Sequence, residues 1–290
     1  CLSSLNVLFY DDWKDTDLVE TMTMFLDAVM SEFIEKLEAL RDSDDKDERL
    51  AFSFMERAHR FASENRALGL GVLGWHSLLQ SKMLAYDSEE AMALNKEVFK
   101  TMQEKSHAAS KDMAKEYGEP AILEGYGMRN TTTMAVAPTT SSAFILGQVS
   151  QGIEPVWSNC YVKDVAKLKV TIKNPFLLEL LEEKGKNDKE TWVSIRDNDG
   201  SVQHLDFLSD EEKDVFRTFA EISQNDIIDQ AADRQQFIDQ GQSLNVMVPP
   251  STPVKEINNL YLRAWQGGVK ALYYQHSMNA AQELTRQKLA

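Results

Sequence analysis

Two phenols stand side by side at the end of an apolar segment, Val269-Lys270-Ala271-Leu272-Tyr273-Tyr274-Gln275. A phenol with a pKa near ~10 keeps its proton at neutral pH, so oxidising it moves an electron and a proton together. Two phenols in contact can pass a radical along. The same pair also suits plain packing, because aromatic residues favour half-buried strands and bury large areas.

A second chemistry-bearing run is Ala137-Pro138-Thr139-Thr140-Ser141-Ser142, four hydroxyl residues after a proline and ahead of the apolar stretch 143–146. A strand that hands over to a helix here presents free N–H groups with partial positive charge, to which hydroxyls add donors. Such a junction can bind phosphate, or it can be a helix cap with spare hydroxyls. Nearby, Arg129-Asn130 and Gly152-Ile153-Glu154-Pro155 offer a guanidinium, an amide and a turn that could orient a polar ligand. A structural salt bridge and an ordinary turn are the competing readings of these two segments.

Gly69-Leu70-Gly71-Val72-Leu73-Gly74 matches G-x-G-x-x-G letter for letter. A dinucleotide fingerprint should follow a strand and precede an acidic residue ~20 positions on. Here a charged helical stretch leads in, and Asp87, Glu89 and Glu90 open the next helix. Close backbone packing against a neighbouring element is therefore the expected use of these glycines. Asp42 to Glu48 lacks the sixth-position glycine of a calcium loop and has Ser53 at the twelfth position, so a solvated turn is expected. The five histidines, His59, His76, His107, His204 and His276, show no metal-ligand spacing and no nucleophile elbow accompanies them. Cys1 and Cys160 are the only cysteines, which excludes a disulfide framework and a CxxC zinc site.

The elements that must position these residues read as a mixture. Apolar residues from Leu18 to Leu37 recur at three-to-four spacing and predict an amphipathic helix over 17–40. Further helices are predicted over 48–60, 70–84, 88–117, 175–184, 209–235, 253–267 and 277–288. Strands are predicted at 132–137, 169–172, 244–248 and 270–274, where β-branched or apolar runs are bounded by Gly, Pro or Asn. Strands alternating with long helices favour an α/β architecture, and no linker marks a division of 1–290. With 43% hydrophobic residues the chain can bury a sizeable core, and its net charge of -15 disfavours nucleic acid or an anionic membrane as partner. No apolar run approaches ~18 residues, so a cytoplasmic protein is expected.

Taken in order, these segments resemble the C-terminal half of the large (α) subunit of class I ribonucleotide reductase. The resemblance runs from Cys1-Leu-Ser-Ser-Leu-Asn6 through Arg66 to His76, Arg129-Asn130, Ala137 to Ser142 and Gly152 to Pro155. It continues through Lys173-Asn-Pro175, Ser201 to Asp206, Ala231 to Arg234 and Gln242 to Asn245, and ends at Leu272-Tyr-Tyr274. It implies the second five-stranded half of a ten-stranded α/β barrel that reduces ribonucleoside diphosphates by radical chemistry for DNA precursor synthesis. Pro138, Thr139, Thr140, Ser141 and Ser142 would grip the substrate diphosphate. Tyr273 and Tyr274 would relay a radical from the metal cofactor of the small (β) subunit, with Tyr274 toward that subunit and Tyr273 toward the active-site cysteine. Neighbouring side chains of a regular strand point to opposite faces, so a relay requires the strand to end or bend at this pair. Cys1, or the residue before it, would be one of two redox cysteines.

The departures are as specific. No Asn-x-Cys-x-Glu radical loop occurs in the 290 residues, nor do the effector-binding cone for ATP or dATP and the terminal cysteine pair that takes electrons from thioredoxin or glutaredoxin. No cofactor is expected on this chain itself, and turnover is expected to require an N-terminal companion segment. An alternative role is a non-catalytic module whose helix around Val254 to Trp265 docks the β subunit. A nucleotide-dependent oxidoreductase using Gly69 to Gly74 is a third.

Overall fold

The computed structural model describes residues 1–165 and 168–277. The chain opens with strand β1 (Leu2–Asn6), a short turn of helix α1 (Tyr10–Trp13) and the long pair α2 (Leu18–Arg41) and α3 (Lys46–Asn65). Strand β2 (Gly69–Leu73), helix α4 (Trp75–Ser81), helix α5 (Glu89–Tyr117) and the short helix α6 (Thr140–Ile145) follow. A hairpin of β3 (Cys160–Val165) and β4 (Leu168–Lys173) leads to α7 (Pro175–Glu183), α8 (Lys189–Asp197), α9 (Asp210–Val215) and α10 (Gln224–Gln235). The short β5 (Val246–Met247), α11 (Val254–Gln266) and β6 (Gln275–His276) are the last elements among the described residues.

Five segments line up in parallel and in chain order. β1 pairs with β2, and parallel bridges carry the sheet from Leu70 to Met134 and from Val136 to Gln242. β5 then pairs in parallel with β6. Backbone bonds fill the gaps between these ladders, including Leu68 N to Thr132 O at 3.0 Å and Val136 N to Gly241 O at 3.2 Å. Parallel neighbours need long crossovers, and the helices between successive segments supply them. Fold class and half-barrel thus agree with the expectation, and among the described residues the sheet does not close on itself.

Several helices form where sequence supplies both an apolar face and a side-chain cap. Ser88 accepts from Ala91 N to start α5, which then buries Val98, Phe99 and Met102 against the sheet. Each such side chain contributes about 1.5–3 kcal/mol when fully removed from water. A smaller apolar cluster gathers Leu177, Leu181, Trp192, Ile195 and Phe216 beneath the hairpin. There Asn174 caps α7 with Pro175 in its first turn, and Ser209 with Glu212 forms a capping box on α9.

Four predicted boundaries differ from the structure. The helix expected over 70–84 begins as the fully buried strand β2 and becomes helical only at Trp75. Apolar residues on both sides of glycines read equally well at either period, and burial on both faces decided for strand. The helix expected over 209–235 breaks between α9 and α10, where Phe216, Phe219 and Ile222 turn into the core. Residues 132–137 form isolated bridges, not a continuous ladder, and the expected strand 270–274 is irregular up to β6. β1, β3 and α8 carried too little periodicity to be predicted, whereas α6 begins at the hydroxyl run where a helix start was expected. The helix expected over 277–288 falls, past Ser277, outside the described residues.

Two buried clusters tie helices to sheet. Asp27 of α2 accepts from Arg66 at 2.8 and 2.9 Å, from Arg129 Nε at 2.8 Å and from Asn130 Nδ2 at 2.9 Å. Burial works against its charge, but these donors outweigh it and hold its carboxyl below the usual range. Arg129 and Asn130 are therefore bound to a structural carboxylate. In the second cluster Arg234 of α10 is fully buried, donating to Gln242 Oε1 and Asn95 Oδ1 at 2.8 Å each and lying over the Phe99 ring.

The glycine triplet serves the sheet. A Cβ on Gly69 would fall 2.4 Å from Leu2 Cδ2, and one on Gly71 would fall 2.3 Å from the Ala135 carbonyl oxygen. Gly74 has φ +84° as the residue entering α4. Side chains beside Gly69 and backbone beside Gly71 thus occupy the space that a dinucleotide fingerprint leaves for pyrophosphate.

Candidate functional site

The tyrosine pair lies where the sheet stops being regular. The Tyr273 and Tyr274 ring centroids are 4.1 Å apart with their planes at 50°. Both rings are about half exposed, at 49% and 56%. Their backbone lies just before β6 and is fastened to the neighbouring segment: Tyr273 N donates to Leu244 O at 2.8 Å and Val246 N donates to Tyr274 O at 2.9 Å. The strand therefore does bend at this pair, as ring contact between adjacent residues requires. The Tyr274 phenol, by hydrogen bonding and by its charge, raises the pKa of Tyr273 above its ordinary value.

The hydroxyl run sits at the other side of the same opening. Thr139 has φ +56°, a left-handed conformation that a β-branched residue rarely adopts. Its hydroxyl does not cap α6; it accepts the Gly152 N–H at 2.7 Å and so ties the run to the turn ahead of Glu154. Thr140 Oγ1 donates to Gln151 Oε1 at 3.1 Å, and Thr140, Ser141 and Ser142 are exposed in the first turn of α6. Strain held by such cross-bonds is characteristic of ligand-facing loops.

A cleft of about 540 Å³ joins the two regions. Pro138 and Thr140 line one side, Tyr273, Tyr274 and His276 another, and Glu154, Trp157 and Asn245 lie between them. Among the described residues no lysine or arginine lines it. An anion held here would depend on N–H groups, hydroxyls and the start of α6. Glu154 accepts from Trp157 Nε1 and from Asn245 Nδ2, so both carboxylate oxygens are engaged. Trp157 meets His276 edge-on at 4.7 Å, and His276 lies 6.0 Å from the Tyr274 ring.

Of the residues expected from sequence, Pro138, Thr140, Tyr273 and Tyr274 are brought to this cleft. Thr139 supports its wall from behind, while Ser141, Ser142 and Cys1 are not among its lining residues. Cys1 is half-buried against the main core, its carbonyl accepting from Gly69 N at 2.8 Å. Trp157, Asn245 and His276 were not identified as site residues, because single aromatic, amide and imidazole groups carry no spacing signal until the fold assembles them. Behind the cleft His76 is fully buried and accepts from Val156 N at 3.0 Å through Nδ1. Burial and the nearby Arg217 charge hold its pKa down at about 3, against the weaker pull of the Val215 carbonyl. Among the described residues no cluster of His, Cys, Asp and Glu could hold a metal, and no helix is long and apolar enough to cross a membrane.

Comparison with known proteins gives this geometry a family. The sequence model described as "Ribonucleotide reductase, barrel domain" matches residues 2–123 and 121–275. The ribonucleoside-diphosphate reductase large subunit of Invertebrate iridescent virus 6 is 39% identical over 286 residues, covering 97% of this chain and 28% of the relative. That of Invertebrate iridescent virus 3 is 35% identical over 278 residues, covering 94% of this chain and 42% of the relative. A solved structure, the Actinobacillus ureae class Id ribonucleotide reductase alpha subunit, superposes with a TM-score of 0.86 at 55% identity. It covers 97% of this chain and 50% of that one. The chain thus spans half or less of the length of these relatives. Nearly all of it falls within the match, and the chain belongs to the ribonucleotide reductase barrel-domain family.

Proposed function

We propose that this chain supplies the diphosphate-binding loop and the tyrosine relay of a ribonucleoside-diphosphate reductase large subunit. The observation that carries the reading is the single cleft shared by Pro138, Thr140, Tyr273 and Tyr274. The N–H groups and hydroxyls of residues 139–142 hold the substrate diphosphate. Tyr274, once oxidised by the small subunit, takes a hydrogen atom from Tyr273. One O–H bond breaks at Tyr273 and one forms at Tyr274, so that the radical moves inward with its proton balanced. Tyr273 then takes a hydrogen atom from the active-site cysteine. That cysteine belongs to an Asn-x-Cys-x-Glu loop, which the 290 residues lack, and a companion segment of the large subunit provides it. Thioredoxin, glutaredoxin or a chemical dithiol re-reduces the assembly, with Cys1 or its predecessor as one redox thiol.

The test combines this chain with a polypeptide carrying that loop, the small subunit and dithiothreitol, and measures reduction of cytidine diphosphate. Tyr274→Phe should abolish turnover while leaving nucleotide binding within about two-fold. Turnover retained by that variant refutes the relay.

A second reading is a docking module for the small subunit, favoured by the apolar groups that α11 leaves in solvent, Val254 at 82% and Trp265 at 74% exposure. Binding of the small subunit without activity in any mixture would select it.

A further inference from the structure

Adjacent residues of a regular strand cannot stack their rings, so something must hold Tyr273 and Tyr274 on the same side. The register Val246↔Gln275 and Met247↔His276 places Tyr274 opposite Asn245. Val246 N bonds Tyr274 O as regular parallel pairing requires, but the Leu244 carbonyl accepts from Tyr273 in place of Tyr274. Two residues thus oppose one, which is a bulge, and bulges are uncommon in parallel pairing. The N–H of Tyr274, displaced from the ladder, donates instead to Asn245 Oδ1 at 3.0 Å.

An amide can present either end, and here its direction is set from outside. Glu154 accepts from Asn245 Nδ2, which leaves Oδ1 facing the Tyr274 N–H. The second Glu154 oxygen accepts from Trp157 Nε1, and the Trp157 ring closes the circuit through His276 to Tyr274. We infer that Asn245, oriented by Glu154, is a positioning residue that holds Tyr273 and Tyr274 in ring contact by accepting the N–H the bulge displaces. This rests on the relay reading above and names how its geometry is kept. Removing the acceptor lets Tyr274 N return to the ladder, which swings the rings to opposite faces.

The experiment uses the complete assembly with cytidine diphosphate and three variants. Tyr274→Phe is the control for the relay itself: if it stays active the relay reading fails, and this inference with it. Given an inactive Tyr274→Phe, Asn245→Leu keeps the branched side-chain shape but offers no acceptor. It should lower kcat by about ten-fold or more with KM within about two-fold. An unchanged kcat, or a KM that rises in step with the loss, overturns the proposal, the latter by marking Asn245 as a substrate contact. Asn245→Asp keeps the acceptor but sets a second carboxylate against Glu154, with His276 and the phenols of Tyr273 and Tyr274 the other titratable groups around it. Two adjoining carboxylates resist joint ionisation and share a proton as pH falls. Its kcat relative to wild type at the same pH should therefore recover on acidification. A flat ratio overturns the proposal, and this variant decides the matter if Asn245→Leu does not fold.

Discussion

Replacing Gly71 by alanine adds one methyl group to the most crowded point of the sheet. The new Cβ would lie 2.3 Å from Ala135 O, 3.2 Å from Val136 Cα and 3.3 Å from Ala135 C. All are backbone atoms, so no side chain can rotate away. Ordinary contact begins at 3.4 Å, and β2 must draw back from residues 134–136 by about 1 Å. Overpacking of this kind costs about 1–3 kcal/mol. Weakening the flanking bonds, Leu70 N to Thr133 O at 2.8 Å and Ala135 N to Leu70 O at 3.2 Å, adds ~1 kcal/mol for each one lost. The reduced freedom of the unfolded chain offsets about 0.4–1 kcal/mol. A net loss of roughly 1–4 kcal/mol follows. With an unfolding entropy near ~2.1 cal/mol/K per residue, the 290-residue chain should melt about 2–7 °C lower. Differential scanning calorimetry and urea titration measure this directly. Gly241→Ala is the matched control, because its nearest atom would be Ala271 Cβ at 3.9 Å, and it should stay within ~0.5 kcal/mol of wild type. If the two variants melt together, close approach is not what requires glycine at position 71.

Acid should destabilise the fold through His76. Its folded pKa is about 3 against an ordinary 6.5, so the unfolded chain binds the proton more readily. The contribution is complete above the ordinary value and is lost as pH falls below it, at up to ~1.4 kcal/mol per pH unit. Urea midpoints across that range should show the slope in wild type and its reduction in His76→Gln. At the helix pair, Asp27→Ala leaves Arg66 and Arg129 without their shared carboxylate, and denaturation should report a loss of about 3–5 kcal/mol.

Much of the architecture was legible before folding, for reasons that particular segments make plain. α2 shows local periodicity, and α5, α7 and α11 pair it with caps or breakers, signals that lie within a few residues of each other. The pairing β1 to β2 was not legible, since its partners are separated by the whole of α2 and α3 and neither alternates. The chemical residues divide in the same way. Tyr273-Tyr274 and the run from Pro138 to Ser142 announce themselves by composition, and of these Tyr273, Tyr274, Pro138 and Thr140 line the cleft. Arg129-Asn130 announced themselves equally and are held by Asp27, a residue about a hundred positions away that no local reading connects to them.

Sequence alone determined that adjacent phenols and a hydroxyl-rich junction exist in one α/β chain, because residue type and spacing are local properties. Only the tertiary structure decided that these segments share an opening and that the two rings meet. Ring contact depends on the Tyr274 N–H leaving the ladder for Asn245, and on Glu154 turning that amide. Those partners come from three segments spread over more than a hundred residues, and bonds between distant segments exist only once the sheet has formed.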